Sequence, residues 1–399
     1  MKFLVTQETD WITRGPHQQH HLFEKLSKKG HQVVVLDFEI NYTPWPHAPL
    51  IAPRIVWDRV TRTDTKANVR VIRPATIRLP GIARIVSMIT FYQELMRITK
   101  TFRPDVIINY AISTGICALL VAKIKNIPFV LHVIDALHTL VPHRWLRPAA
   151  LWMETFLLRN SQATIYINQK LREYGLKHGA NPDCSHTVRT GVNLDVFKYK
   201  DGRKNSTMRT KWGIKSNDVL LIFIGWLYEF SGIDTIMRIL PKLPESLKLM
   251  VVGTGEMENQ LLTLSQDLNL NKRVIFTGHQ PYRNMPELIA AADVCLLFSK
   301  LNPTTRDIVP IKVYEYLACG RPVLASNLPG LMQEVPHGNG IIYTHSEQLV
   351  QTLLNMMEHT YRTSEGTKAR RFVEENCDWS ILSASFESLL YRIINFQQQ

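Results

Sequence analysis

Apolar residues along this chain come in short unbroken runs, and between the runs they recur every three or four positions. The first pattern is that of strands buried on both faces, and the second that of helices with one apolar side. The pattern predicts a strand over 2–6, a loop over 7–15, a helix over 16–29 that Gly30 ends, and a strand over 32–37. Residues 42–53 carry four prolines and predict irregular structure. A short strand over 70–74 follows, then a helix over 82–101, a strand over 105–109, a helix over 113–125, a strand over 128–133, a helix over 145–160 and a strand over 163–168. The polar, basic stretch 198–215 reads as a linker edge. A second series runs strand 219–225, helix 233–240, strand 248–253, helix 256–268, strand 273–277, helix 284–291, strand 294–299, a helix near 311–318 and a strand over 322–325. Strands alternating with helices predict an α/β fold: two Rossmann-like domains, each on a parallel sheet. In such sheets ligands bind outside the carboxyl ends of the strands.

Length agrees with two domains at 399 residues, and 45% hydrophobic content supplies two large cores. No apolar run reaches the roughly 18 residues that a bilayer span needs. Residues 106–122 come nearest and are interrupted by Asn109, Ser113, Thr114 and Gly115. The opening residues are too few and too acidic for a signal peptide and read as a first strand. Five scattered cysteines, none in a C-x-x-C pair, predict reduced thiols and a cytoplasmic protein.

Charge separates the halves. Residues 1–180 hold 24 Lys and Arg against 12 Asp and Glu, while the remainder holds 23 against 22, so nearly all of the net +13 lies in the first half. Residues 54–103 alone carry 11 basic and 3 acidic side chains, Arg70, Arg73 and Arg78 among them. A one-sided basic field implies an anionic partner, and an anionic membrane surface, a lipid phosphate and nucleic acid are the candidates. No nucleic-acid-reading module is present, so nucleic acid is not the expected partner. Trp145, Leu146, Leu151, Trp152 and Phe156 share a segment with Arg144, Arg147 and Arg159, and the 82–101 helix carries Arg84, Arg97 and Lys100. Aromatics and arginines on amphipathic helices suit a membrane interface.

The densest chemistry is Asp307-Ile-Val-Pro-Ile-Lys-Val-Tyr-Glu315, followed at once by Tyr-Leu-Ala-Cys-Gly-Arg-Pro-Val-Leu-Ala-Ser326. Pro310 suits a first helical turn, and Gly320 stops the helix before a buried strand. Eight residues is a little over two turns, so Asp307 falls just before the helix and Glu315 inside it, on roughly one face. Lys312 lies in the first turn, where the helix dipole disfavours a cation, and so suggests a nearby anion. Carboxylates for hydroxyls, with a lysine and a helix N-terminus for phosphate, describe a site for a sugar joined to phosphates.

This arrangement resembles the retaining glycosyltransferases of the family-4 type, which have the two-domain GT-B fold with a cleft between the domains. Further matches are Thr190-Gly-Val-Asn-Leu-Asp-Val-Phe197, Gly225-Trp-Leu-Tyr-Glu-Phe-Ser-Gly-Ile-Asp234, Val251-Val-Gly-Thr-Gly-Glu256 and Ala291-Ala-Asp-Val294. The resemblance implies an acceptor domain over 1–185 with a returning helix at 380–399, and a donor domain over 186–379. It implies transfer of a hexose from a nucleotide-diphosphate sugar, UDP- or GDP-linked, to a surface-glycan or polyprenyl-phosphate-linked acceptor, with no cofactor and no metal. Asp307 stands where Glu is usual and would meet donor sugar hydroxyls and the charge developing at the anomeric carbon. Glu315 would take the ribose hydroxyls. His132 matches the histidine that faces the transferred sugar, with Asp135 to orient it or meet the acceptor. Gly15 matches a glycine of the first-strand loop.

The phosphate loop departs from the family. Trp226, just after Gly225, replaces the usual Arg, and Ser231, just before Gly232, replaces the usual Lys. Lys312, Arg306 or Lys300, together with backbone N–H groups at Ser231 and Gly232, would then have to meet the diphosphate. A catalytically degenerate GT-B protein that binds sugar or another anion without transfer is the alternative. His17, His20 and His21 share one helical face, but no carboxylate or cysteine accompanies them at ligand spacing, so contact with an acceptor phosphate is expected of His17 rather than metal.

Overall fold

The structure is a computed structural model that describes residues 1–39, 46–79, 82–141, 143–199, 207–302, 305–307 and 309–395. The expected irregular stretch 42–53 and linker edge 198–215 lie partly outside them. The chain divides into two compact units, Met1–Thr190 with Trp379–Gln399, and Gly191–Asp378.

The first unit contains β1 (Lys2–Thr6), α1 (Gln18–Lys28), β2 (Gln32–Leu36), β3 (Ile51–Ala52), β4 (Ile55–Val60), β5 (Val69–Arg73), β6 (Thr76–Ile77) and α2 (Ala83–Thr101). It continues with β7 (Val106–Asn109), α3 (Ser113–Lys125), β8 (Phe129–Val133), α4 (Arg147–Asn160), β9 (Ala163–Tyr166), α5 (Gln169–Lys177) and β10 (Ser185–Thr187). The second unit contains α6 (Thr207–Lys211), β11 (Val219–Ile224), α7 (Ile233–Ile239), β12 (Leu247–Val252), α8 (Glu258–Asp267), β13 (Val274–Gly278), α9 (Met285–Ala291) and β14 (Val294–Leu297). Next come α10 (Lys312–Ala318), β15 (Val323–Ser326), α11 (Pro329–Glu334), β16 (Ile341–Thr344), α12 (Leu349–Asn355) and α13 (His359–Asn376), and α14 (Trp379–Asn395) rejoins the first unit.

The sheet of the first unit runs β10-β9-β8-β7-β1-β2-β5-β4. It is parallel except at β4, which pairs antiparallel with β5. That corrects the expectation of an all-parallel sheet. β4 is an exposed edge strand, so it carries none of the buried run by which the others are read. The apolar side chains of β1, β7 and β8 alternate between two cores. Phe3, Val5, Ile108 and Val130 pack with α1 and α14, while Leu4, Ile107 and Leu131 pack with α2, α3 and α4. The sheet of the second unit runs β13-β12-β11-β14-β15-β16 and is parallel throughout.

Chain order reverses direction between β1 and β7 in the first sheet and between β11 and β14 in the second. Connections diverge there and leave a crevice beyond the strand ends. All five cysteines are free. Among the described residues, no helix is long and apolar enough to cross a membrane.

Candidate active site

At the β11 and β14 ends, α10 grips the last residue of β11 from both sides. The Ile224 N–H donates to the Tyr316 hydroxyl at 3.1 Å, and Lys312 Nζ donates to the Ile224 carbonyl at 2.6 Å. The lysine also stands 4.9 Å above the Phe223 ring. Gly225 makes that approach possible. Its φ is +150°, and a Cβ there would sit 2.3 Å from the ammonium. Burial pulls the Lys312 pKa down to about 8, against the opposing pull of Glu315. The ammonium remains protonated at neutral pH but is held at a disadvantage that an arriving anion would relieve.

Glu315, one turn along α10, accepts a hydrogen bond from the Tyr282 hydroxyl at 2.7 Å. Burial raises its pKa, while Tyr282 and Lys312 favour the ionised form. Helix α10 is only 7 residues long, so its dipole is weak and Lys312 is the main positive charge at this end.

Asp307 lies in an exposed turn ahead of α10. That turn is built on Asn302 and Thr305, which exchange hydrogen bonds of 2.9 Å, and on the Gly330 N–H, which donates to the Arg306 carbonyl at 3.0 Å. The Asp307 carboxylate makes no hydrogen bond with a described residue, and Arg306 beside it is exposed.

Two expectations about the phosphate loop need correction. Ser231 is buried, and both its hydroxyl and its N–H donate to the Tyr228 carbonyl, at 2.6 and 3.1 Å, so neither is offered to a ligand. Lys300 is paired with Asp234 at 3.0 Å. Gly232 turns the chain into α7 with φ +67°, where a Cβ would meet the Phe298 carbonyl at 2.2 Å. Trp226 is not a core residue either: it is 51% exposed, while Leu227 beside it is wholly buried.

In the first unit, His132 is buried at the end of β8. Its Nδ1 lies 2.7 Å from the Tyr110 hydroxyl, and Phe386 packs 5.7 Å from its ring. Tyr110, not Asp135, orients it. Burial lifts the Tyr110 pKa well above its ordinary value, so the phenol stays protonated. The hydroxyl and Nδ1 share one hydrogen bond, and Nε2 is a buried atom with no partner among the described residues. Asp135 is exposed as a residue, while the protein around its carboxyl partly desolvates it and, with the nearby charge of Glu154, raises its pKa.

Gly15 and His17 lie in the turn entering α1. His17, His20 and His21 do not face one common point: the His17 N–H donates to His20 Nδ1 at 3.0 Å at the start of α1, His20 Nε2 bonds the Trp11 carbonyl at 3.0 Å, and His21 stacks on Trp379 at 4.7 Å. Among the described residues, no three His, Cys, Asp or Glu side chains cluster to hold a metal ion.

Burial sets the His20 and His132 pKa values to about 3 and that of His21 to about 4, all below the unfolded 6.5. The unfolded chain therefore takes protons that the folded chain refuses as pH falls below 6.5, and stability declines from there towards pH 4. The thermal midpoint should fall steadily over that window, and a His20→Gln variant should show a shallower slope. A midpoint independent of pH between 6.5 and 4 would contradict these placements.

Sequence reasoning missed three polar groups at these strand ends. Tyr282 and Tyr110 are two. The third is Glu8, beyond β1, which accepts from the Ser113 hydroxyl, the Thr114 N–H and the Thr114 hydroxyl at 2.6, 2.6 and 3.0 Å.

Comparison with known proteins decides the family. Residues 204–376 match the Glycosyl transferases group 1 family and residues 18–196 match Glycosyltransferase Family 4. The chain belongs to the GT-B glycosyltransferases of the family-4 type. A GDP-mannose-dependent monoacylated alpha-(1-6)-phosphatidylinositol monomannoside mannosyltransferase of Corynebacterium glutamicum is 26% identical over 56% of this chain and 61% of its own length. A D-inositol 3-phosphate glycosyltransferase of Mycobacterium bovis is 28% identical over 48% of this chain and 39% of its own length. These alignments thus span less than two thirds of either relative. Among solved structures, Anabaena HepE in complex with UDP superposes with a TM-score of 0.74 at 17% identity, over 98% of this chain and 100% of that one. WaaG, a glycosyltransferase involved in lipopolysaccharide biosynthesis, gives 0.64 at 17% identity over 97% and 99%. At these identities the likeness speaks for the fold.

Proposed function

We propose that this glycosyltransferase is a retaining enzyme that moves a hexose from a UDP- or GDP-linked sugar to a surface-glycan or lipid-linked acceptor, without a metal. The observation that carries the reading is the pairing on α10 of a desolvated ammonium, Lys312, with a desolvated carboxylate, Glu315, at the switch point of the second sheet. In this reading Glu315 accepts from the ribose hydroxyls. Lys312, lying against Gly225 and assisted by Arg306 and the Gly232 N–H, stabilises the charge that gathers on the leaving diphosphate as its bond to the anomeric carbon breaks. Asp307, with no hydrogen-bond partner for its carboxylate among the described residues, faces the positive charge that develops on the sugar. In the first unit, His132 Nε2 is assigned to a sugar hydroxyl, and Gly15, His17 and Asp135 are assigned to the acceptor. Titration of the full chain with UDP and GDP, beside Lys312→Met and Glu315→Ala, tests the donor site.

The loss of the loop cations at Trp226 and Ser231 favours a second reading, a family member that binds sugar without transferring it. Turnover with any nucleotide sugar decides between the two. The UDP-glucose held by Anabaena HepE and the GDP-mannose named for the Corynebacterium relative supply the donors to try first.

The acceptor is proposed to be reached at an anionic membrane surface on the cytoplasmic side. Much of the basic stretch is neutralised internally: Arg73 pairs with Asp37 and Asp10, Arg78 with Glu39, Arg70 with Asp58 and Arg54 with Glu94. Arg73 is therefore not a surface cation, which corrects its place among the expected membrane contacts. What faces outward on the α2, α3 and α4 layer is apolar: Ile85, Ile89, Leu120, Ile124 and Trp152, the last 67% exposed, with Trp145 just ahead of α4 at 76%. Arg97, Lys123 and Arg159 are exposed on the same helices. Each basic residue near an anionic bilayer contributes on the order of 1 kcal/mol, screened by salt. Sedimentation with phosphatidylglycerol vesicles should be clear at low salt, weak at high salt and mostly lost in the Trp145→Ser, Trp152→Ser double variant. A protein that ignores such vesicles at low salt would contradict the membrane assignment.

A further inference from the structure

The Glu315 carboxylate has one hydrogen-bond donor among the described residues, and it comes from elsewhere in the fold. Tyr282 stands 33 positions earlier, in the turn that leads into α9, and donates to Oε1 at 2.7 Å. The residue is 56% exposed, yet its hydroxyl reaches the desolvated carboxylate. The buried Phe197 ring meets it edge-on at 6.0 Å and 67° and holds it in place. Lys312 acts on Glu315 through charge alone and fixes no orientation.

A glutamate carboxylate turns about a broad, two-fold terminal torsion. A vicinal diol donates two hydrogen bonds and is best met by both oxygens of one carboxylate held in one plane. The two oxygens offer about four acceptor sites, of which Tyr282 takes one, leaving Oε2 and the second site of Oε1. We propose that Tyr282 is a positioning residue for the nucleotide's ribose, locking the plane of Glu315 so that the 2′- and 3′-hydroxyls are accepted together. This rests on the assignment of Glu315 to the ribose. It adds that the discrimination between ribose and 2′-deoxyribose is set by a phenol that touches neither sugar hydroxyl.

The test is calorimetric titration of the full chain with UDP, 2′-deoxy-UDP, GDP and 2′-deoxy-GDP, for the wild type and for Tyr282→Phe and Glu315→Gln. Phenylalanine keeps the ring against Phe197, and an unchanged thermal midpoint confirms the fold. The wild type should favour the ribonucleotide it binds by roughly tenfold over the deoxy form, as loss of a hydrogen bond to a charged group implies. Tyr282→Phe should bring that ratio to within about threefold, by weakening the ribonucleotide and leaving the deoxynucleotide unchanged. An unchanged ratio in Tyr282→Phe, beside a collapsed one in Glu315→Gln, would overturn the role of Tyr282 and keep the donor site. Equal weakening of both nucleotides would make Tyr282 a general prop and also overturn it, as would a wild-type ratio near one. If the wild type binds none of the four, the donor-site reading fails with it.

Discussion

Asp307→Asn should lower turnover by about 10²- to 10³-fold, the range for removing one preorganised electrostatic partner of a transition state. Nucleotide-diphosphate affinity should stay within about twofold, because the carboxylate is assigned to the reacting sugar and not to the nucleotide. The substitution keeps shape and removes charge. The turn that displays residue 307 rests on Asn302, Thr305 and the Arg306 carbonyl, none of which uses the Asp307 carboxylate, so the fold should be unaffected. Steady-state transfer with UDP- and GDP-hexoses, set beside nucleotide titration, reads both quantities. Proton NMR of the wild-type product should show the donor's anomeric configuration. Undiminished turnover in Asp307→Asn would remove its catalytic role, and an inverted product would remove the retaining mechanism.

The second large effect is at Lys312. Lys312→Met should weaken UDP or GDP binding by about 1.5–3 kcal/mol, roughly tenfold to a hundredfold in Kd, while uridine or guanosine binds as before. Methionine preserves much of the apolar stem over Phe223 and removes the ammonium. The sign of the stability change follows from the pKa. Lys312 is depressed from 10.5 to about 8, so its charge opposes folding at every pH below about 8, and that penalty fades as pH rises from about 8 towards 10.5. Lys312→Met removes that penalty and also the hydrogen bond to the Ile224 carbonyl; the two oppose each other, so the variant should stay close to wild-type stability at pH 7. Wild-type affinity for the diphosphate should also fall as pH rises above about 8, because the neutral amine holds the anion poorly, and the variant should lose this dependence.

The sequence made part of this legible, and chain separation decides which part. The Asp307 to Glu315 spacing, the Gly320 stop and the position of Lys312 at the start of α10 are all local, so residue order carries them. The partners that orient the site are not local. Tyr282 to Glu315, Tyr110 to His132 and Glu8 to the start of α3 each join distant segments, and no periodicity marks a phenol or a carboxylate as a partner. Charge counting misleads for a related reason. Arg73 reads as surface charge until β2 and β5 bring Asp37 against it, 36 residues away in sequence. Strand β4 goes unpredicted because it lies exposed at the sheet edge. Ser231 reads as a phosphate contact because it follows the loop in register, whereas its hydroxyl and N–H both close the turn on Tyr228.

Lys312 and Glu315 are assigned the diphosphate and ribose contacts of a nucleotide-sugar donor site. Titration calorimetry of the full chain with UDP and GDP, for the wild type, Lys312→Met and Glu315→Ala, tests that assignment most directly. The account predicts that the wild type binds one of the two nucleotides, that each substitution weakens it by roughly tenfold or more, and that only Lys312→Met leaves nucleoside binding intact. Wild-type affinity retained in both variants, or no binding of either nucleotide by the wild type, would contradict it.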